Sequence, residues 1–199
     1  HDAPEHQAWE KDTVQWLAQG DDLAALVLEM AEQGRSTAAL PTDASEAAVQ
    51  KALFWNDSAW PWAAYGPVTM AAVRAGVPVL GGNLPRKLLN AATANTALDA
   101  HLSDAAWLRQ LRAVREGHCD LLPEKMLPGM VRVQIARDMQ LAQTAAAAVQ
   151  SGKVVLLVTG VAHAQRSLGV PRYLPQNLVS KIALAQAGQA LEATEKEAE

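Results

Sequence analysis

The run Lys153-Val-Val-Leu-Leu-Val-Thr159, followed by Gly160 and His163, constrains the fold more than any other feature of this sequence. An unbroken apolar run that ends at a turn former is the pattern of a parallel strand buried on both faces. Ala25-Leu-Val-Leu-Glu-Met30 repeats the pattern and ends in a carboxylate, and Val77-Pro-Val-Leu80 is a third strand whose Pro78 places it near an edge. Helical patterns separate these strands. Residues 4–19 form a helix with Pro4 in its first turn, which Asp2 can cap and Gly20 stops. A short helix begins after Asp43 or Ser45 and runs to about Phe54, and residues 62–75 form another that Gly76 closes. An alanine-rich helical stretch covers 86–116 with a break near Ser103, and the longest helix runs from about Pro128 to Gln150. Strands alternating with helices predict an α/β fold, a parallel or mixed central sheet with helices on both faces. The stretch 86–150 exceeds a simple crossover, so it reads as a helical insert beside the site. Leu178–Leu184 reads as a final strand, residues 1–188 as one domain, and 189–199 as a charged tail.

Composition removes several function classes. A net charge of −4 without a Lys/Arg cluster argues against nucleic acid as a partner. Cys119 is the single cysteine, so the chain has no intramolecular disulfide and no Cys-x-x-Cys-His for covalent haem. Neither the glycine-rich nucleotide-binding patterns nor a Gly-x-Ser-x-Gly elbow occurs. No apolar run is long enough to span a bilayer.

The residues able to carry chemistry are few. Three of the five histidines, His1, His6 and His163, sit at turns beside regular structure, two near one helix start and one after a strand, where open α/β sheets place their ligands. Glu29, at the end of a buried strand, needs a cation, a metal or several donors to offset its desolvation, and Arg86 and Arg137 are the arginines that could supply it. Arg137 lies on the long helix with Gln134, Asp138 and Leu141 on its side, opposite Val131, Ile135, Met139 and Ala142. Trp55, Trp60, Trp62 and Tyr65 crowd together in a chain with one phenylalanine, which means core packing or an interface. His118-Cys119 lacks further ligands at zinc spacing and reads as a turn between helices.

Several blocks in order resemble the ChaN family of haem-binding, iron-regulated lipoproteins, within a wider group that includes Tiki-type proteases and erythromycin esterases. They are His1-Asp2-Ala3-Pro4-Glu5-His6, Val27-Leu28-Glu29-Met30, Trp60-Pro61-Trp62-Ala63-Ala64-Tyr65 and Gly82-Asn83-Leu84-Pro85-Arg86, then Gly117-His118-Cys119-Asp120-Leu121-Leu122-Pro123, Gln134-Ile135-Ala136-Arg137-Asp138 and Gly169-Val170-Pro171-Arg172. The family pattern has a strand ending in Gly-Glu-x-His before this point, of which His1 alone is present, so the resemblance leads us to expect a gap in the sheet beside Glu29.

The resemblance implies non-covalent haem binding in bacterial iron acquisition by an exported, lipid-anchored carrier at the outer membrane or periplasm. The anchor would lie outside this chain, with an outer-membrane haem receptor and a homodimer as partners. Tyrosine ligates haem iron in catalase, so Tyr65 and Tyr173 are the expected ligand candidates, with His163 as a further one, Arg172 for a propionate and Trp62 as an apolar wall. His1, His6 and His163 are the candidate metal ligands. The wider group implies an alternative, a metal-dependent hydrolase in which His1, Glu29, Arg86 and His163 converge.

Overall fold

The computed structural model describes residues 3–186 and 189–192. His1 and Asp2 lie outside the described residues, and with them the expected Asp2 cap and every role given to His1. Helix α1 (Pro4–Gln19) follows an extended Ala3 and has proline in its first turn, where an amide hydrogen would have no partner within the helix.

Strand β1 (Leu23–Glu32) is the centre of a three-stranded parallel sheet in the order β2-β1-β3, with β2 at Val79–Asn83 and β3 at Val154–Val158. Nine of its ten residues are buried, which is why its sequence reads as an almost unbroken apolar run. Leu26, Val27 and Leu28 each pair with β2 on one side and β3 on the other. The expected gap beside Glu29 is therefore absent: both neighbours of β1 are in place. β2 is an edge, as Pro78 predicts, and residues 35–37 cover it through Gly81 N–H to the Arg35 carbonyl (2.9 Å) and Thr37 N–H to the Val79 carbonyl (3.0 Å).

The chain leaves β1 for β2 on one side and returns past β1 to β3 on the other. Crossovers in opposite directions place their helices on opposite faces of a sheet when both are right-handed, and the helices are divided in that way. α2 (Glu46–Leu53) and α3 (Trp62–Arg74) occupy the first crossover, and α3 packs with α1 over Leu26, Leu28 and Met30. The second crossover holds α4 (Leu89–Ala94), α5 (Asp104–Gly117) and α6 (Leu127–Ala147), with 3-10 turns at Arg86–Leu88, Thr96–His101 and Glu124–Met126. α6 covers the other face, where Val27 and Leu141 crowd against Gly82. The helical stretch expected over 86–150 is thus present as a short-helix layer closed by one long helix. After β3 come α7 (Val161–Ala164) and a 3-10 turn at Val170–Tyr173.

The carboxyl-terminal region departs from expectation. The strand placed at 178–184 begins only at Ala183, and Val179 is almost wholly exposed. β4 (Ala183–Gln186) pairs antiparallel with β5 (Gln189–Glu192), residues assigned from sequence to a charged tail. Of residues 178–182 only Ile182 is buried, and Val179 and Lys181 point to solvent. No helix among the described residues is long and apolar enough to cross a membrane.

Ser45 caps α2 by accepting from the Ala48 amide at 3.3 Å. Ser45→Ala is expected to cost about 1 kcal/mol, seen as a lower urea midpoint with an unchanged slope.

Candidate functional site

β1 and β3 end side by side, and the crevice between them is the point where the crossovers part, the usual position of a site in an open α/β sheet. β1–β3 pairing ends at Leu28 and Val158, so Glu29 is the first β1 residue beyond the ladder. It alternates with Leu28 and so points to the α6 face. Its Oε2 accepts from the Thr159 hydroxyl (2.7 Å) and the Gly160 amide (2.8 Å). Its Oε1 lies 3.4 Å from Nε2 of His163, whose Nδ1 lies 2.6 Å from Oδ1 of Asp138 on α6. All three side chains are buried.

The proton positions follow from this geometry. Burial opposes charge on His163, but the carboxylates of Asp138 and Glu29 on either side outweigh it and raise the imidazole to about 10. Burial likewise opposes ionisation of Glu29, but the bonds from His163, Gly160 and Thr159 hold it down to about 2. For Asp138 burial prevails: the His163 contact offsets it only in part, the Glu29 charge adds to it, and the carboxyl stands at about 6. At neutral pH the cluster is an imidazolium between two carboxylates, carrying one net negative charge.

This arrangement revises several expectations. Glu29 is balanced by His163 and two hydrogen bonds from the β3 end, not by an arginine. Arg86 is exposed, and its backbone amide donates to Glu32 at 3.0 Å. Asp138 and Leu141, grouped from sequence with Arg137 on the side opposite Val131 and Ile135, are buried in the same stripe as those residues. Asp138 is the site residue that the sequence reading missed. The signal was present: Ile135, Asp138, Leu141, Ala142 and Ala145 follow helical spacing along one face.

Both ring nitrogens of His163 face carboxylates, Nδ1 towards Asp138 and Nε2 towards Glu29. No group of three His, Cys, Asp or Glu side chains among the described residues is placed to hold a metal ion, and His1, the third histidine of the expected set, lies outside those residues. Of the four residues in the hydrolase reading, the structure brings together Glu29 and His163.

The turn that carries His163 depends on Gly169. A β-carbon there would run into the backbone carbonyl of His163, so the chain doubles back at closer range than any other residue allows.

The aromatic residues fall on the two faces. Tyr65 is buried beside α1, with Trp60 edge-on at 5.8 Å and Trp55 tilted at 6.2 Å between ring centroids. Trp55 meets Trp62 edge-on at 5.0 Å, and the Trp62 indole donates to Glu46 at 2.7 Å. These residues belong to the core of the α1–α3 face. Tyr173 lies across the sheet, packed against the core under α5 and α6. Tyr65 with Trp62, and Tyr173 with Arg172 and His163, therefore cannot line one ligand surface.

Tyr173 is unlike Tyr65 in a second respect. Its hydroxyl is out of contact with solvent and makes no well-formed hydrogen bond, although the Arg172 side chain approaches it. Burial and the Asp138 charge push its pKa up to about 12, against a smaller opposing effect of Arg172. A buried hydroxyl without a well-formed hydrogen bond costs about 1–3 kcal/mol. The same face holds half-buried apolar side chains, Leu89, Trp107, Met130 and Met139 among them. An oxygen donor without a well-formed hydrogen bond, a neighbouring guanidinium and apolar flanks suit a ferric porphyrin with carboxylate side arms.

No curated protein matches the chain. Among solved structures, "Cofacial heme binding to ChaN of Campylobacter jejuni" superposes with a TM-score of 0.69 at 20% identity, covering 87% of this chain and 72% of that one. That likeness is one of fold. The sequence pattern of a family described as haem-binding uptake, Tiki superfamily, ChaN matches residues 1–174. With that match running through the strand-end acid, the aromatic block and the histidine turn, the chain belongs to the ChaN family of haem-binding uptake proteins.

Proposed function

We propose that this protein is a haem carrier of bacterial iron acquisition that takes ferric haem on its α6 face through Tyr173. The observation that carries the choice of residue is the buried Tyr173 hydroxyl, beside Arg172 but without a well-formed hydrogen bond. Ferric iron favours a phenolate oxygen, and ligation would relieve the cost of leaving that oxygen so poorly satisfied. Arg172 is exposed and suited to a propionate. Tyr65 serves as a core residue. His163, with Asp138 and Glu29, holds the end of the sheet beneath the site. The reading includes export and a lipid anchor at the outer membrane or periplasm, a homodimer and a haem receptor that accepts the cargo.

The test is a titration with ferric haem followed by absorbance, using wild type, Tyr173→Phe and Tyr65→Phe. Wild type is expected to give a saturable Soret shift, Tyr173→Phe to bind roughly 30-fold more weakly, equivalent to about 2 kcal/mol, and Tyr65→Phe to bind as wild type. A featureless wild-type titration would defeat the reading. Equal binding by wild type and Tyr173→Phe would remove Tyr173 from it.

A further inference from the structure

His101 ends the 3-10 turn Thr96–His101, and no motif in the sequence draws attention to it. Its side chain is exposed, and its ring stands edge-on to Tyr173 with centroids 6.1 Å apart at 64°. Its carbonyl accepts from Nε of Arg172 at 2.9 Å, which ties this turn to the segment carrying Tyr173. The turn is held from the other side as well. Arg132 on α6 forks onto Asp99 at 2.7 and 2.9 Å and donates to the Thr93 carbonyl at 3.2 Å. An exposed imidazole is thereby held beside a phenol whose oxygen makes no well-formed hydrogen bond.

We propose that His101 is a second haem-site residue, its imidazole N–H donating a hydrogen bond to the Tyr173 oxygen when that oxygen ligates ferric haem. The inference rests on the haem reading above. A phenolate bound to iron keeps lone pairs free, and a donor placed on one of them stabilises the bound anion. Arg172 directs its Nε to the His101 carbonyl and its charge towards the Tyr173 oxygen, and the His101 ring stands edge-on to the same phenol. His101 is thus a positioning residue that sets how firmly the iron is held.

The experiment loads wild type, His101→Ala, His101→Gln and Tyr173→Phe with ferric haem. It reads the electron paramagnetic resonance spectrum, the ligand-to-iron charge-transfer band and the rate of haem transfer to excess apomyoglobin. His101→Ala is expected to release haem about tenfold faster and to shift both the band and the rhombicity of the ferric signal. His101→Gln, which keeps a donor, is expected to restore most of both. A His101→Ala variant that matches wild type in rate and spectrum overturns the proposal while the haem reading stands. A low-spin, histidine-ligated wild-type spectrum that His101→Ala abolishes makes His101 a ligand and also overturns it. Failure of wild type to take up haem removes the underlying reading, and the proposal falls with it.

Discussion

Replacing His163 with alanine is expected to destabilise the protein by about 3–5 kcal/mol, because it leaves the carboxylates of Glu29 and Asp138 facing each other in a buried site without their shared cation. For a chain of this size that is a fall in melting temperature on the order of 10 °C. The coupling is tested by adding Asp138→Leu to His163→Leu: the pair should lose less than the sum of the two single losses. Strictly additive losses would mean that the contact contributes nothing of its own.

The same cluster sets a pH profile. His163 is raised in the fold to about 10, so its contribution is complete below its unfolded value near 6.5 and is lost as pH rises through 10. Glu29 is depressed to about 2, so its contribution is present above its unfolded value of 4.5 and disappears as pH falls through 2. Asp138 acts in the opposite sense for a carboxylate. Raised to about 6, it costs stability above that value and ceases to do so as pH falls towards 3.8. Together they predict a maximum on the mildly acidic side of neutral and a decline from pH 7 to 10 on the order of 3 kcal/mol. Urea midpoints measured across that range decide the point; a flat alkaline limb would show that His163 is not held as an imidazolium.

The second large effect concerns Gly169→Ala. The added methyl meets the backbone carbonyl of His163, which cannot rotate away as a side chain would. We expect a loss of about 3 kcal/mol, together with a weaker alkaline decline, because the displaced turn carries His163 away from Asp138. Urea unfolding at pH 7 and pH 9 separates the two consequences. An alanine variant with wild-type midpoints at both values would show that the turn has room to spare.

The strand centres were legible because buried parallel strands are continuous in apolar character, and both Ala25–Met30 and Lys153–Thr159 stand out from the helical sequence around them. Glu29 was legible for the same reason, as an acid closing an apolar run. Its partner was not. The bond between Glu29 and His163 joins residues far apart in sequence, and the need for a cation suggested arginine when an imidazole held by a second acid supplied it. Asp138 was obscured because it falls beside Arg137 and Gln134, which drew it to the polar side of α6, whereas it is buried with Val131, Ile135 and Leu141. The division of Tyr65 from Tyr173 depends on which side of the sheet each crossover takes, and local patterns do not encode that. His101 lies in a turn without hydrophobic periodicity, where only the three-dimensional neighbour gives the residue meaning.

The opposite placement of the aromatic residues has a spectroscopic consequence. Trp55, Trp60 and Trp62 lie on the α1–α3 side of the sheet and Trp107 on the α5–α6 side, separated by a strand layer and its side chains about 10 Å thick. Porphyrins absorb where indoles emit, and energy transfer weakens steeply with separation. Haem seated on the α6 face would therefore extinguish Trp107 emission more completely than that of the indoles across the sheet. Variants retaining one tryptophan at a time would make the molecule an optical ruler of its own cargo.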